Sequence, residues 1–154
     1  MPVVIARPLF ALGGKLFHYR PVLAVRLSGP QASMAFDGML DTGADEVVFQ
    51  ERTAQAIGLD LSNAEERQLS LVGRPAPVRC RYASVELQIT DGLRETYRWT
   101  AMVGFAATRL QYNLLGHVGF LEFFDAEFRG ADHEVVLIPN AAFPGAAVAM
   151  PPRP

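Results

Sequence analysis

The stretch from Tyr82 to Phe105 constrains the chain most. Ala83, Val85, Leu87 and Ile89 alternate with Ser84, Glu86 and Gln88. A period of two places one set on an inner face and leaves the other in water. Asp91-Gly92 interrupts the pattern and Thr96–Phe105 follows. Asp-Gly between two such runs signals a hairpin, because glycine takes the positive φ that a tight connection demands. A helix would scatter the apolar set around its circumference, so this part of the chain must enter a sheet.

Shorter runs point the same way. Leu16–Leu27 reads as a strand or a bent strand pair, closed by Ser28-Gly29-Pro30. Ser33–Leu40, Val47–Phe49 and Val135–Ile138 read as further strands. Helical signals are few. Glu51–Ile57 puts Ala54 and Ile57 on one face and stops at Gly58, which suits a helix C-terminus. His117–Phe123 reads as a second short helix after Gly116. The implied class is all-β, closed or sandwich-like, with one or two short helices. Beyond Ile138 the prolines are too frequent for regular structure, and this end reads as a loose tail or a strap across a partner.

A chain of 154 residues, half of them hydrophobic, supports a single domain with one core. A formal charge of −2 supplies no basic field, so neither nucleic acid nor an anionic membrane is expected as the main partner. Cys80 is the sole cysteine, which excludes an internal disulfide; it reads as a small, partly buried apolar residue. No run approaches the roughly 20 apolar residues of a membrane-spanning helix. The apolar start, Met1 to Leu12, is broken by Arg7 and Pro8 and fits a secretory leader poorly, so a cytoplasmic protein is the expectation. His18, His117, His133 and Cys80 lack metal-ligand spacing, and neither metal nor cofactor is expected. Met34, Met39, Phe120, Phe123 and Phe124 read as core.

Chemistry concentrates in Phe36-Asp37-Gly38-Met39-Leu40-Asp41-Thr42-Gly43-Ala44-Asp45-Glu46-Val47-Val48-Phe49. An apolar strand runs into Asp-Thr-Gly-Ala and a second leaves it. Such a turn can hold a carboxylate at the end of a rigid strand. Gly43 permits the tight path, and the Thr42 hydroxyl can bond across to a neighbouring backbone. Asp-Thr-Gly by itself reads first as a β-turn, with Asp and Gly in their usual turn roles.

With its flanks, the segment resembles the single-lobe retropepsin-like aspartic proteases. In that family a hydrophobic-hydrophobic-Gly element packs beside the catalytic loop, and Asn113-Leu114-Leu115-Gly116 is similar to it. The short helix and closing strands match His117–Phe123 and the run from Phe124 through Ile138. The resemblance implies a closed acid-protease barrel, with Asp41, Thr42 and Gly43 as the catalytic motif. It also implies a flap, for which Gln68–Val78 is the candidate, with Gly73 at its tip. Arg74, Pro75 and Pro77 depart from a glycine-rich tip. Substrate contacts would come from Ala44, Asp45, Val72, Gly73 and Leu115, with Val47 and Val48 as further apolar walls. His117 stands where viral members have arginine, and Asp45 and His117 read either as a contacting pair or as two solvated loop residues.

The implied organisation is residues 1–15 as an N-terminal segment and candidate interface strand, 16–139 as the protease domain, and 140–154 as a Pro-rich tail. Aspartic proteases need two carboxylates sharing a proton, and this chain has a single Asp-Thr-Gly with no room for a second lobe. The implied active form is therefore a homodimer cleaving a peptide or protein substrate. The alternative is a catalytically silent relative that dimerises or binds peptide.

Overall fold

The computed structural model describes residues 3–5, 7–10, 17–91 and 95–149. Along the chain run β1 (Val3–Ile5), β2 (Arg7–Phe10), β3 (Phe17–Arg20), β4 (Val22–Ser28), β5 (Ser33–Leu40), β6 (Val48–Gln50), helix α1 (Glu51–Ala56) and β7 (Glu65–Leu69). They are followed by β8 (Val78–Thr90), β9 (Glu95–Ala106), β10 (Asn113–Leu115), a 3-10 turn (Leu121–Phe123), β11 (Phe124–Arg129), β12 (Glu134–Pro139) and β13 (Ala146–Ala149).

The sheet closes on itself. Strands pair in the order β9-β6-β10-β5-β4-β8, and β8 returns to β9, giving a closed barrel of six strands. β7 continues this sheet outward from β8, and β13 continues it from β9. A smaller sheet, β1-β12-β11, and the pair β2–β3 complete the pairing. The all-β closed architecture expected above is therefore the one observed.

The alternating segment forms the long hairpin β8–β9, with Ala83 opposite Val103, Leu87 opposite Trp99 and Thr90 opposite Thr96. Val85, Leu87 and Ile89 are buried while Ser84 is exposed. The expected turn residue Gly92 lies outside the described residues. Val25, Leu27, Phe49, Leu87, Val103 and Phe105 meet inside the barrel with essentially no exposure. Burying each such side chain contributes about 1.5–3 kcal/mol relative to leaving it in water. Helix α1 caps the interior with Ala54 and Ile57, and Gly58 leaves it at φ +72°.

Over the described residues Phe17–Leu27 form the bent pair that the sequence allowed, broken at Pro21, which has no amide to give a ladder. Three local readings change. The second helix contracts to the single 3-10 turn. Met34 is exposed, because Ser33 to Ala35 project past the packed interior; Met39 is half-buried, whereas Phe120 and Phe124 are core. The tail is not wholly irregular. Phe143 packs 5.7 Å from Trp99 and 5.4 Å from Phe124, and the proline-free run Ala146–Ala149 pairs with β9. No helix among the described residues is long and apolar enough to cross a membrane.

Candidate active site

Asp41 stands at the end of β5, where three strands converge. β4 flanks β5 antiparallel, and β10 flanks it parallel, with Leu114 opposite Met39 and Leu115 opposite Leu40. The close approach of β10 depends on Gly38, where a Cβ would lie 2.9 Å from the Leu115 side chain. The amide of Leu40 donates to Pro21 O at 2.9 Å, and that of Asp41 to Leu115 O at 3.2 Å. The backbone carrying the carboxylate is thus held from both sides.

A turn follows. The Ala44 amide donates to Asp41 O at 3.2 Å, and the Gly43 amide donates to the carboxylate Oδ1 at 2.9 Å. That bond fixes the rotamer of the carboxylate. The loop is then clasped from below: His117 N donates to Ala44 O at 3.0 Å, Val118 N to Asp45 O at 2.8 Å and Val47 N to Val118 O at 3.1 Å. Gly116 passes beneath, where a Cβ would collide with Glu46 O and stand 2.6 Å from Ala44 O. Of the two readings of Asp45 and His117, the side-chain contact is not the one observed: main-chain bonds make the clasp, and no ion pair joins the two side chains among the described residues.

Above the loop lies a cavity of about 380 Å3. Asp41, Gly43, Ala44, Asp45 and Glu46 form its floor, and residues 69–74 form its roof. Arg20, Met39, Val48, Leu114 and the segment 109–112 form its walls. Six of the named site residues, Asp41, Gly43, Ala44, Asp45, Val72 and Gly73, therefore share one space. Thr42 does not join them. It is exposed and lines an adjoining depression of about 310 Å3 with Arg20, Pro21, Met39, Leu40, Asp41 and Phe128. Its expected hydroxyl bond to a neighbouring backbone is absent among the described residues. Leu115 and Val47 point into the core with no exposure, while their neighbours Leu114 and Val48 line the cavity. Strand alternation puts adjacent residues on opposite faces, so the contact expected of Leu115 passes to Leu114.

The roof is the hairpin β7–β8, which pairs Leu69 with Val78. Its tip turns through Gly73 at φ +80°, with Arg74 N donating to Leu71 O at 3.1 Å. Arg74 Nη2 donates to Arg109 O at 2.7 Å, bringing the tip onto the wall. At the hairpin's base Arg67 lies 4.2 Å over the Tyr82 ring and 3.8 Å from the Glu46 carboxylate. Burial pushes the Tyr82 phenol upward, reinforced by Cys80 and then Glu46. Burial also raises the Cys80 thiol, keeping it protonated and inert.

Sequence reasoning missed the wall at Arg109–Tyr112. The signal was present in two polar residues within apolar runs, Gln50 and Asn113, which are buried and must therefore find partners. Gln50 Nε2 donates to Leu110 O at 3.4 Å, Gln50 N donates to Asn113 Oδ1 at 3.3 Å, and Asn113 Nδ2 donates to Asp37 O at 2.8 Å. These bonds hold the wall to β6 and β5. No group of three or more His, Cys, Asp or Glu is placed to hold a metal ion among the described residues.

No family model and no curated protein matches the sequence. Among solved structures, the chain is similar to a retropepsin-like aspartic protease from Rickettsia conorii, with a TM-score of 0.59 and 15% identity over 95% of this chain and 92% of that one. It is also similar to EIAV protease complexed with the inhibitor HBY-793, with a TM-score of 0.42 and 18% identity over 71% of this chain and 88% of that one. The fold is retropepsin-like.

Proposed function

We propose that the chain is an aspartic endopeptidase that works as a homodimer, with Asp41 from each copy forming the catalytic pair. The observation that carries this reading is the position of Asp41. Its carboxylate sits on a clasped loop, accepts the Gly43 amide, and opens into a cavity roofed by a hairpin. The retropepsin-like fold adds support.

Two carboxylates brought within about 3 Å cannot both ionise readily, so one keeps a proton. The ionised member takes a proton from water as the oxygen attacks the peptide carbonyl. The protonated member donates to the carbonyl oxygen, and subsequent transfer to nitrogen releases the amine. The dimer reading draws support from the open face beside Asp41. Thr42 is exposed there, Phe128 is 54% exposed, and β11 has no partner on its outer edge among the described residues. A two-fold axis at this face would set each Asp41 opposite its equivalent.

The silent, peptide-binding alternative has one observation in its favour. The Arg74–Arg109 bond joins to the wall a roof that a protease must open. A cleavage assay on purified protein separates the readings. Asp41→Asn is expected to lower peptide hydrolysis about 100- to 10,000-fold, the range for losing a general acid–base group. Equal product from both proteins would defeat the protease reading.

A further inference from the structure

We infer that Arg74 and Arg109 form an anion-binding subsite that selects peptides carrying an acidic side chain; the inference builds on the peptide-binding reading of the cavity. Charge is divided within this space. Asp41, Asp45 and Glu46 lie together on the floor, whereas Arg74 belongs to the roof and Arg109 to the wall it touches.

The arginines of the hairpin's base are matched. Arg67 pairs with Glu65 at 2.8 Å and approaches Glu46, and Arg81 reaches Glu51 and Glu66, each at 3.4 Å. Arg79 lies 3.8 Å from both Glu51 and Glu66. Arg74 and Arg109 have no carboxylate within ion-pair distance among the described residues. Arg74 instead gives one nitrogen to a neutral carbonyl, which restrains the side chain and leaves its remaining donors available. The carbonyl it holds belongs to Arg109, and Gln50 holds the next one, so Arg109 is carried on anchored backbone and the Arg74 side chain is restrained against it. A restrained guanidinium loses less freedom on binding a carboxylate, whose planar oxygens match its fork.

An extended peptide presents alternate side chains to roof and floor. The roof and wall attract an acidic side chain, whereas the acidic floor repels one. Selection should therefore fall on particular positions of the peptide rather than on its net charge. Both arginines are exposed, so each should contribute a modest factor, about threefold, and the pair on the order of tenfold. Added salt should reduce the preference.

The test measures binding rather than turnover. Full-length Asp41→Asn protein is titrated with fluorescent octapeptides that carry Glu or Gln at each position in turn, at low and high salt. At one or more positions the Glu peptide is expected to bind about tenfold more tightly. In the same background, Arg74→Gln and Arg109→Gln should each reduce that ratio about threefold, the double substitution should bring it to one, and Arg74→Lys should retain most of it. A ratio of one at every position, a ratio the double substitution leaves intact, or no binding of any peptide would overturn the inference. Arginine-dependent discrimination by a chain that never cleaves would uphold the subsite and defeat the protease reading. Cleavage without discrimination would do the reverse.

Discussion

The loop from Asp41 to Val47 and the hairpin tip from Ser70 to Pro77 face each other across one cavity, yet they are held by opposite means. Main-chain bonds to β10 and its continuation clasp the loop, and Gly38 and Gly116 admit that strand because any side chain there would collide. The tip is joined to the wall by the Arg74 side chain and by Leu71 packing on the small cluster that contains Leu110, and a Cβ at Gly73 would meet nothing within 4 Å. One region tolerates almost no change of shape; the other is surrounded by solvent. A peptide-binding site can use both, a floor that keeps a carboxylate in place and a roof that yields to admit a chain.

The sharpest way to break this contrast is a methyl group. Gly116→Ala forces β10 away from the loop and is expected to cost about 2–3 kcal/mol, since overpacking against backbone cannot be relieved by a rotamer change. Urea unfolding measures it, and a loss below about 0.5 kcal/mol would mean that the clasp is loose.

Alkaline titration probes the seam between floor and roof, where Tyr82 lies under Arg67 and beside Glu46. Its folded-state pKa is raised, so above pH 10 the unfolded chain releases the proton first and stability falls as pH rises. Tyr97, pushed up to about 12 by burial and by Glu95, adds to the same decline. Tyr82→Phe should therefore flatten the stability curve between pH 10 and 11 while leaving the Tyr97 contribution. Parallel curves for the two proteins would show that the phenol ionises freely at this seam.

The smallest effect is expected at the tip. Gly73→Ala meets no steric obstacle and carries only the strain of an alanine at φ +80°, about 1 kcal/mol. Thermal unfolding of this variant beside Gly116→Ala ranks the two regions directly. Equal destabilisation would erase the distinction.

Much of the floor was legible because its information is local. An apolar strand, an Asp-Thr-Gly turn and a second apolar strand are read from adjacent residues, and period-two patterning announces the β8–β9 hairpin without knowledge of its partners. The short helix with its glycine stop was equally local. The wall at 109–112 was not, because its position depends on Gln50 and Asn113, whose partners lie far away in the chain. The tail was misread for a related reason. Its prolines are visible in sequence, but the aromatic cluster that receives Phe143 exists only after β9 and β11 have come together.

By itself, the sequence determined that this chain forms a mainly β architecture and that one carboxylate would end a strand, since both follow from patterns only a few residues long. Tertiary structure decided which residues share the space above that carboxylate. Leu114 rather than Leu115 and Val48 rather than Val47 face the cavity because strand register selects one side of each pair. Arg74 and Arg109, 35 residues apart, meet because barrel closure brings the hairpin tip against the wall. Proximity of that kind depends on long-range pairing, which no local pattern specifies.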